Sequence, residues 1–203
     1  PPRSTLFPYT TLFRSAFVNN MPSDIILIGP QTVGKSTVGE LIAERLGLPQ
    51  YSMDEQRWAY YKEIGYDETL AKKKRETEGV WGIIRYWKPF EAHAVERLLA
   101  DQTNCVIDFG AGHSVYDDPL LFQRVQRALA PYPNVVLLLP SPDLEESIRI
   151  LNERNQNLPD DIRSTNEHFL RHPSNSSLAK FTVYTKDKTP QETCSEILAG
   201  AAL

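Results

Sequence analysis

One stretch of this chain has residue types and spacing suited to chemistry. Gly29-Pro30-Gln31-Thr32-Val33-Gly34-Lys35-Ser36 fits G-x-x-x-x-G-K-[ST]. Glycines let a loop wrap close to its ligand. Consecutive backbone N–H groups and a helix N-terminus then face an anion. A lysine reaches the outer phosphates of a nucleotide, and the serine hydroxyl binds Mg²⁺. The expected ligands are ATP and Mg²⁺, held by Gly29, Gln31, Thr32, Val33, Gly34, Lys35, Ser36 and Thr37. A chance glycine-rich turn is the plain alternative. The setting weighs against it, because the stretch follows an apolar run and opens an amphipathic pattern.

Other candidates surround this loop. Asp108 ends the apolar run Cys105-Val106-Ile107 and is expected to hold a water of the metal, with Ser36 as the direct ligand; capping a helix is the plain alternative. Asp54 follows a short strand and is expected to orient and deprotonate an attacking hydroxyl, or to cap the next helix. Gly110-Ala111-Gly112 allows a substrate close to backbone, or only a tight turn. Arg149, Arg154, Arg163 and Arg171 are candidates to neutralise phosphoryl charge, with Arg149 assigned to the nucleotide and Arg171 to catalysis. The four histidines read as ordinary polar residues without paired spacing.

The elements that must position these residues alternate. Short apolar runs at 24–28, 48–52, 104–109, 134–139 and 181–185 read as strands. Helical spacing covers 36–46, with Gly47 as its stop, then 89–100, 119–130, 142–154 and 190–198. Residues 54–88, rich in Trp and Tyr, read as two or three helices, and the polar stretch 155–166 as a loop or lid. Strands alternating with helices predict a three-layer α/β/α domain with a parallel sheet.

Composition bounds the rest. The net charge of −4 does not suggest a nucleic-acid partner, so any phosphate site must be locally concentrated. The two cysteines, Cys105 and Cys194, form no metal or disulfide pattern. No run is long enough to span a membrane, and a cytoplasmic monomer or weak dimer is expected. Residues 1–20 read as a non-native or disordered leader: PPRSTLFPYTTLFRS resembles translated sequencing-adapter sequence, and the natural start is expected near Met21. Residues 21–203 then form one domain.

With these residues in view, the chain resembles the shikimate kinase family of the nucleoside-monophosphate-kinase-like P-loop proteins. IILIGPQTVGKSTVGELIAERLGLP resembles that family's first strand, phosphate loop and helix. Asp54 falls on the second aspartate of its D-x-D. Lys88 in WKPFE falls on the arginine of F-R-x-x-E, Gly110-Ala111-Gly112 on the triple-glycine loop, and Arg171 in RHPSN on the arginine that binds the substrate carboxylate. The resemblance implies a five-stranded parallel sheet of order 2-3-1-4-5 with a lid, ATP-dependent phosphoryl transfer, and an acceptor site of Asp54, Lys88, Gly110, Ala111, Gly112 and Arg171. Ser52 stands where the family has the first aspartate, Lys88 where it has arginine, Ala111 where it has glycine, and Asn175 where it has tyrosine. These departures fall in the acceptor half, so a small hydroxylated metabolite other than shikimate is expected. A nucleotide-binding NTPase or switch of the AAA type, or a protein that binds another macromolecule, are the competing readings. The aromatic stretch discriminates: closing over the loop it makes a small-molecule pocket, exposed it makes a partner surface.

Overall fold

The computed structural model describes residues 24–203. The leader and the expected start at Met21 lie outside the described residues. Five parallel strands form one sheet in the order β2-β3-β1-β4-β5. They are β1 (Ile25–Ile28), β2 (Gln50–Ser52), β3 (Val106–Asp108), β4 (Val135–Leu139) and β5 (Phe181–Tyr184). The helices are α1 (Lys35–Leu46), α2 (Met53–Glu63), α3 (Glu68–Asp101), α4 (Pro119–Leu129), α5 (Leu144–Arg154), α6 (Asp160–Arg171), α7 (Ser174–Leu178) and α8 (Pro190–Gly200). No helix of the described residues is long and apolar enough to cross a membrane.

Strand alternation divides the core. Along β1, Ile26 and Ile28 join one apolar cluster with α2, α3 and α4, while Ile25 and Leu27 join a second with α1, α5 and α8. β4 splits the same way: Val135 and Leu137 go to the first cluster, Val136 and Leu138 to the second. Side chains on a strand point to opposite faces, so an unbroken apolar run requires cover on both. Because every strand runs parallel, β1, β2 and β3 all end at one edge, where Gly29, Asp54 and Asp108 follow or close them.

Two boundaries differ from the sequence reading. Pro89 does not start a helix; it sits inside α3, which continues to Asp101. The break falls at Gly79 instead, with φ 69 and ψ −162. An interior proline costs about 3 kcal/mol. Here Phe90, Ala92, Ala94, Val95, Leu98 and Leu99 bury the following face in the core and offset it. The lid stretch is also more ordered in form than a loop. Only residues 155–159 lie between α5 and α6, and α6 takes the rest. Its Thr165, Asn166, Phe169 and Leu170 are buried.

Candidate active site

The phosphate loop joins β1 to α1 without a side-chain cap. Gly34 takes the N-cap position at φ 104, and the first turn of α1 holds no acid. The positive end of the helix is therefore left for a ligand. Gly29 is at φ 135, and a Cβ there would stand 2.4 Å from the Leu138 carbonyl oxygen. Only glycine lets β4 and the loop approach that closely. Thr32, a β-branched residue, is held at φ 59, a strained setting within the loop. The buried Lys35 ammonium donates to the carbonyls of Gly29 at 3.0 Å and Pro30 at 2.7 Å. Burial lowers its pKa to about 8, against the pull of Asp54 and Asp108.

Asp108 sits beside Ser36. The Ser36 hydroxyl donates to Asp108 Oδ1 at 2.8 Å, Gln50 Nε2 donates to Oδ2 at 2.9 Å, and the Ser52 hydroxyl reaches Oδ1 at 3.4 Å. Register explains this grouping, since Ser52 pairs with Asp108 across β2 and β3. A buried carboxylate between two hydroxyls, next to a phosphate loop, is an oxygen donor set that suits a hard cation such as Mg²⁺. A cavity of about 420 Å³ opens here, lined by Lys35, Ser36, Thr37, Asp108 and Asp54 among others. On the far side of the loop, Val33, Thr37, Arg154, Thr185 and Lys188 line a cleft of about 240 Å³.

A second cavity, of about 460 Å³, lies beneath α6. Gln31, Asp54 and Ala111 line both it and the phosphate cavity. Asp54 projects from the first turn of α2, and its carboxylate pairs with Arg57 at 3.2 Å. Arg57 lies over the rings of Trp58 and Trp87, at 4.5 and 5.4 Å. The aromatic residues of α2 and α3 pack on one another, with Tyr61 and Phe90 in the core and Trp87 on the cavity wall. They build the cavity, and Trp58 is left half-exposed. Gly110 and Gly112 are there for close approach. A Cβ on Gly110 would meet Asp54 Oδ1 at 2.3 Å, and one on Gly112 would meet Glu91 Oε1 at 2.5 Å.

Of the expected acceptor residues, Asp54, Ala111 and Gly112 line this cavity and Lys88, Gly110 and Arg171 do not. Lys88 is spent behind the wall: it donates to Glu91 Oε2 at 2.6 Å and to the Gly112 carbonyl at 2.9 Å, with the Tyr116 and Phe169 rings over it. Arg171 is on the outer face of α6, bound to Glu145 at 2.8 Å and Glu167 at 2.9 Å. The last turn of α6 turns it away from the loop, so the arginine of the expected anion site is a surface ion pair. Arg149 likewise faces Glu153 at 2.7 Å; Arg154 instead reaches the phosphate loop, donating to the Thr32 carbonyl at 3.2 Å. Arg149 and Arg154 lie about 140° apart around the α5 axis, so only Arg154, in the last turn, faces the loop. Arg163 pairs with Asp160. Asn175, standing where the family has tyrosine, ties the Ser114 hydroxyl to the Phe169 carbonyl.

Sequence reasoning missed three participants. Arg57 carried one available signal, its place one turn after Asp54 on the same helix face. Asn166 of α6 clamps the loop, its Oδ1 accepting from the Gln31 N–H at 2.8 Å and its amide donating to the Gln31 carbonyl at 3.3 Å. His113 is buried on the cavity wall, and its Nδ1 has no partner. Burial lowers its pKa, against Glu91 and Asp54. The histidines also pair after all: His168 and His172 stand one turn apart and bring ligand atoms near Asp117. There the Ser174 N–H donates to His172 Nδ1, so its Nε2 carries the hydrogen bound to Asp117 and is turned from metal ligation.

No protein-family model matches the chain. A shikimate kinase of Salinispora arenicola is 28% identical over 176 residues, covering 86% of this chain and 95% of that one. The chain is similar to the shikimate kinase-like P-loop kinases. The shikimate kinase of Acinetobacter baumannii, solved in complex with shikimate, superposes with a TM-score of 0.58 at 20% identity, over 88% of this chain and 92% of that one. A gluconokinase of Sinorhizobium meliloti superposes at 0.53 and 20% identity, over 89% and 91%. The fold is thus shared with kinases named for different acceptors.

Proposed function

We propose that the chain transfers the γ-phosphoryl group of ATP to a hydroxyl of a small molecule held under α6. The observation that carries this is the position of Asp54, whose side chain lines both the phosphate cavity and the second cavity. A hydroxyl lying against that carboxylate has its oxygen directed at the phosphate loop.

The acceptor oxygen attacks the γ-phosphorus as the bond to the β–γ bridging oxygen breaks. The hydroxyl proton passes to the Asp54 carboxylate, and ADP leaves with the bridging oxygen. The loop N–H groups from Thr32 to Thr37 and the Lys35 ammonium hold the phosphates and stabilise the spreading charge. Arg154 serves the nucleotide in the role first given to Arg149. Ser36 and Asp108 would hold Mg²⁺, which supplies charge neutralisation on the phosphate oxygens. Phosphoryl transfer depends on positioning, and Arg57 and Gly110 position Asp54. The acceptor is a hydroxylated metabolite other than shikimate, a reading supported by the absence of Lys88 and Arg171 from the cavity lining.

The test is a metabolite-pool screen for ADP release and phosphorylated product, with Lys35→Ala as the blank. Asp54→Asn should keep ATP affinity and lower turnover by on the order of 10²-fold or more. Wild-type turnover in a folded Asp54→Asn chain would end this reading. ATP hydrolysis that no acceptor accelerates would favour the switch.

A further inference from the structure

The second cavity holds charges that cancel among themselves. Two carboxylates line it, Asp54 and Glu91, with one guanidinium, Arg57. Arg57 is paired with Asp54 at 3.2 Å, and its faces are covered by Trp58 and Trp87. Glu91 Oε2 is engaged from behind by the Lys88 ammonium at 2.6 Å. Burial pushes the Glu91 carboxyl up, but the Lys88 and Arg57 charges oppose it, and the net shift is downward, so Glu91 is ionised. His113, pushed down by burial, is neutral. Arg75, the next cation of α3, is bound to Asp161 of α6 at 2.5 Å. Among the described residues, no cation lining this cavity is free of a carboxylate partner, and the buried Arg57 Nε is left as an open donor.

The rest of the wall is mostly apolar, with Gln31, His113 and Thr165 as its neutral polar groups. Val80, Ile84 and Trp87 come from α3, and Ile162 and Phe169 from α6. Both anions already have partners, so a bound carboxylate would face two like charges and no unpaired cation, a desolvation cost with little compensation. A purely polyhydroxylated ligand would leave most hydroxyls against hydrocarbon. An uncharged body with apolar surface and a hydroxyl at its Asp54 end satisfies both walls.

We infer that the acceptor is an uncharged alcohol with an apolar or aromatic body, and that the Lys88–Glu91 pair closes the site to hydroxy-acids. This rests on the phosphotransferase reading for the role of the hydroxyl, and not for the binding order.

The experiment compares three ligands that share one benzyl body and differ in charge: phenylpropanediol, phenyllactate and phenylalaninol. Binding to the full chain is measured by calorimetry in the presence of a non-hydrolysable ATP analogue and Mg²⁺, with shikimate as a fourth ligand. The neutral diol should bind at least about tenfold more tightly than phenyllactate or shikimate, and more tightly than the amine. Equal or tighter binding of phenyllactate, shikimate or phenylalaninol overturns the inference, as does failure of the diol to bind. Glu91→Gln removes the carboxylate that holds Lys88, and should move the diol-to-phenyllactate preference toward phenyllactate by about tenfold. The double variant Lys88→Met with Glu91→Gln should not gain phenyllactate. An equal gain in single and double variants refutes the role of the pair. Should the single variant not fold, the wild-type binding order still decides. The expected order with no phosphorylated product from any alcohol would overturn the phosphotransferase reading and leave this one standing.

Discussion

Gly110→Ala tests the positioning of Asp54 without touching its carboxylate. The added Cβ would stand 2.3 Å from Asp54 Oδ1 and 2.8 Å from His113 Nδ1, where ordinary contact begins at 3.4 Å. The histidine ring is buried and cannot retreat, while the Asp54 side chain is 56% exposed and can. The carboxylate therefore moves by about 1 Å, and a misplacement of that size costs about 10²-fold in rate. The effect on stability is smaller. Overpacking of a single methyl costs about 1–3 kcal/mol, and the half-exposed Asp54–Arg57 pair adds at most about 1 kcal/mol. The assay is ADP release with the acceptor found active for the wild-type chain, beside the unfolding midpoint. Turnover should fall by on the order of 10²-fold in a chain that remains folded, with ATP affinity within about twofold of wild type. Undiminished turnover in the folded variant would refute the argument that the Asp54 position carries the chemistry. Gly112→Ala is the matched comparison, because its Cβ presses on Glu91 Oε1 at 2.5 Å and leaves Asp54 in place.

Two further outcomes follow from the electrostatics. Burial holds the Lys35 pKa near 8, so the free chain begins to lose that charge as pH rises through 8, while anionic phosphates favour the charged form and raise its pKa. ATP binding at about pH 8 should then take up on the order of half a proton through Lys35, measured by calorimetry in buffers of different ionisation enthalpy; proton release, or uptake unchanged in Lys35→Met, would count against it. Asp108→Asn removes the charge beside Ser36, and the Mg²⁺ concentration for half-maximal turnover should rise by at least about tenfold; an unchanged Mg²⁺ titration would remove Asp108 from the metal site.

The sequence by itself determined the parts that depend on local pattern. The run IILI needs cover on both faces, the glycines at 29 and 34 need backbone freedom, and the lysine and serine that follow open a helix; together these specify strand, loop and helix in order. Asp108 closing one apolar run and Asp54 following another placed both at one sheet edge, since parallel strands share their carboxyl ends. Local pattern could not say which way a helix faces once it has packed. Arg171 and Arg149 have the right charge and lie near the right segments, yet each turns to carboxylates on the outer surface. Lys88 lies in the matching motif, yet Glu91, three residues along the same helix, takes its charge. Arg57 and Asn166 carry no motif, and reach the site because α2 opens at the end of β2 and because α6 lies across the loop. The Arg171–Glu145 and Asn166–Gln31 contacts join residues far apart in sequence, which only the tertiary structure brings within hydrogen-bond distance; the Lys88–Glu91 and Arg149–Glu153 pairs are local, and there the tertiary structure decides which way the helix face points.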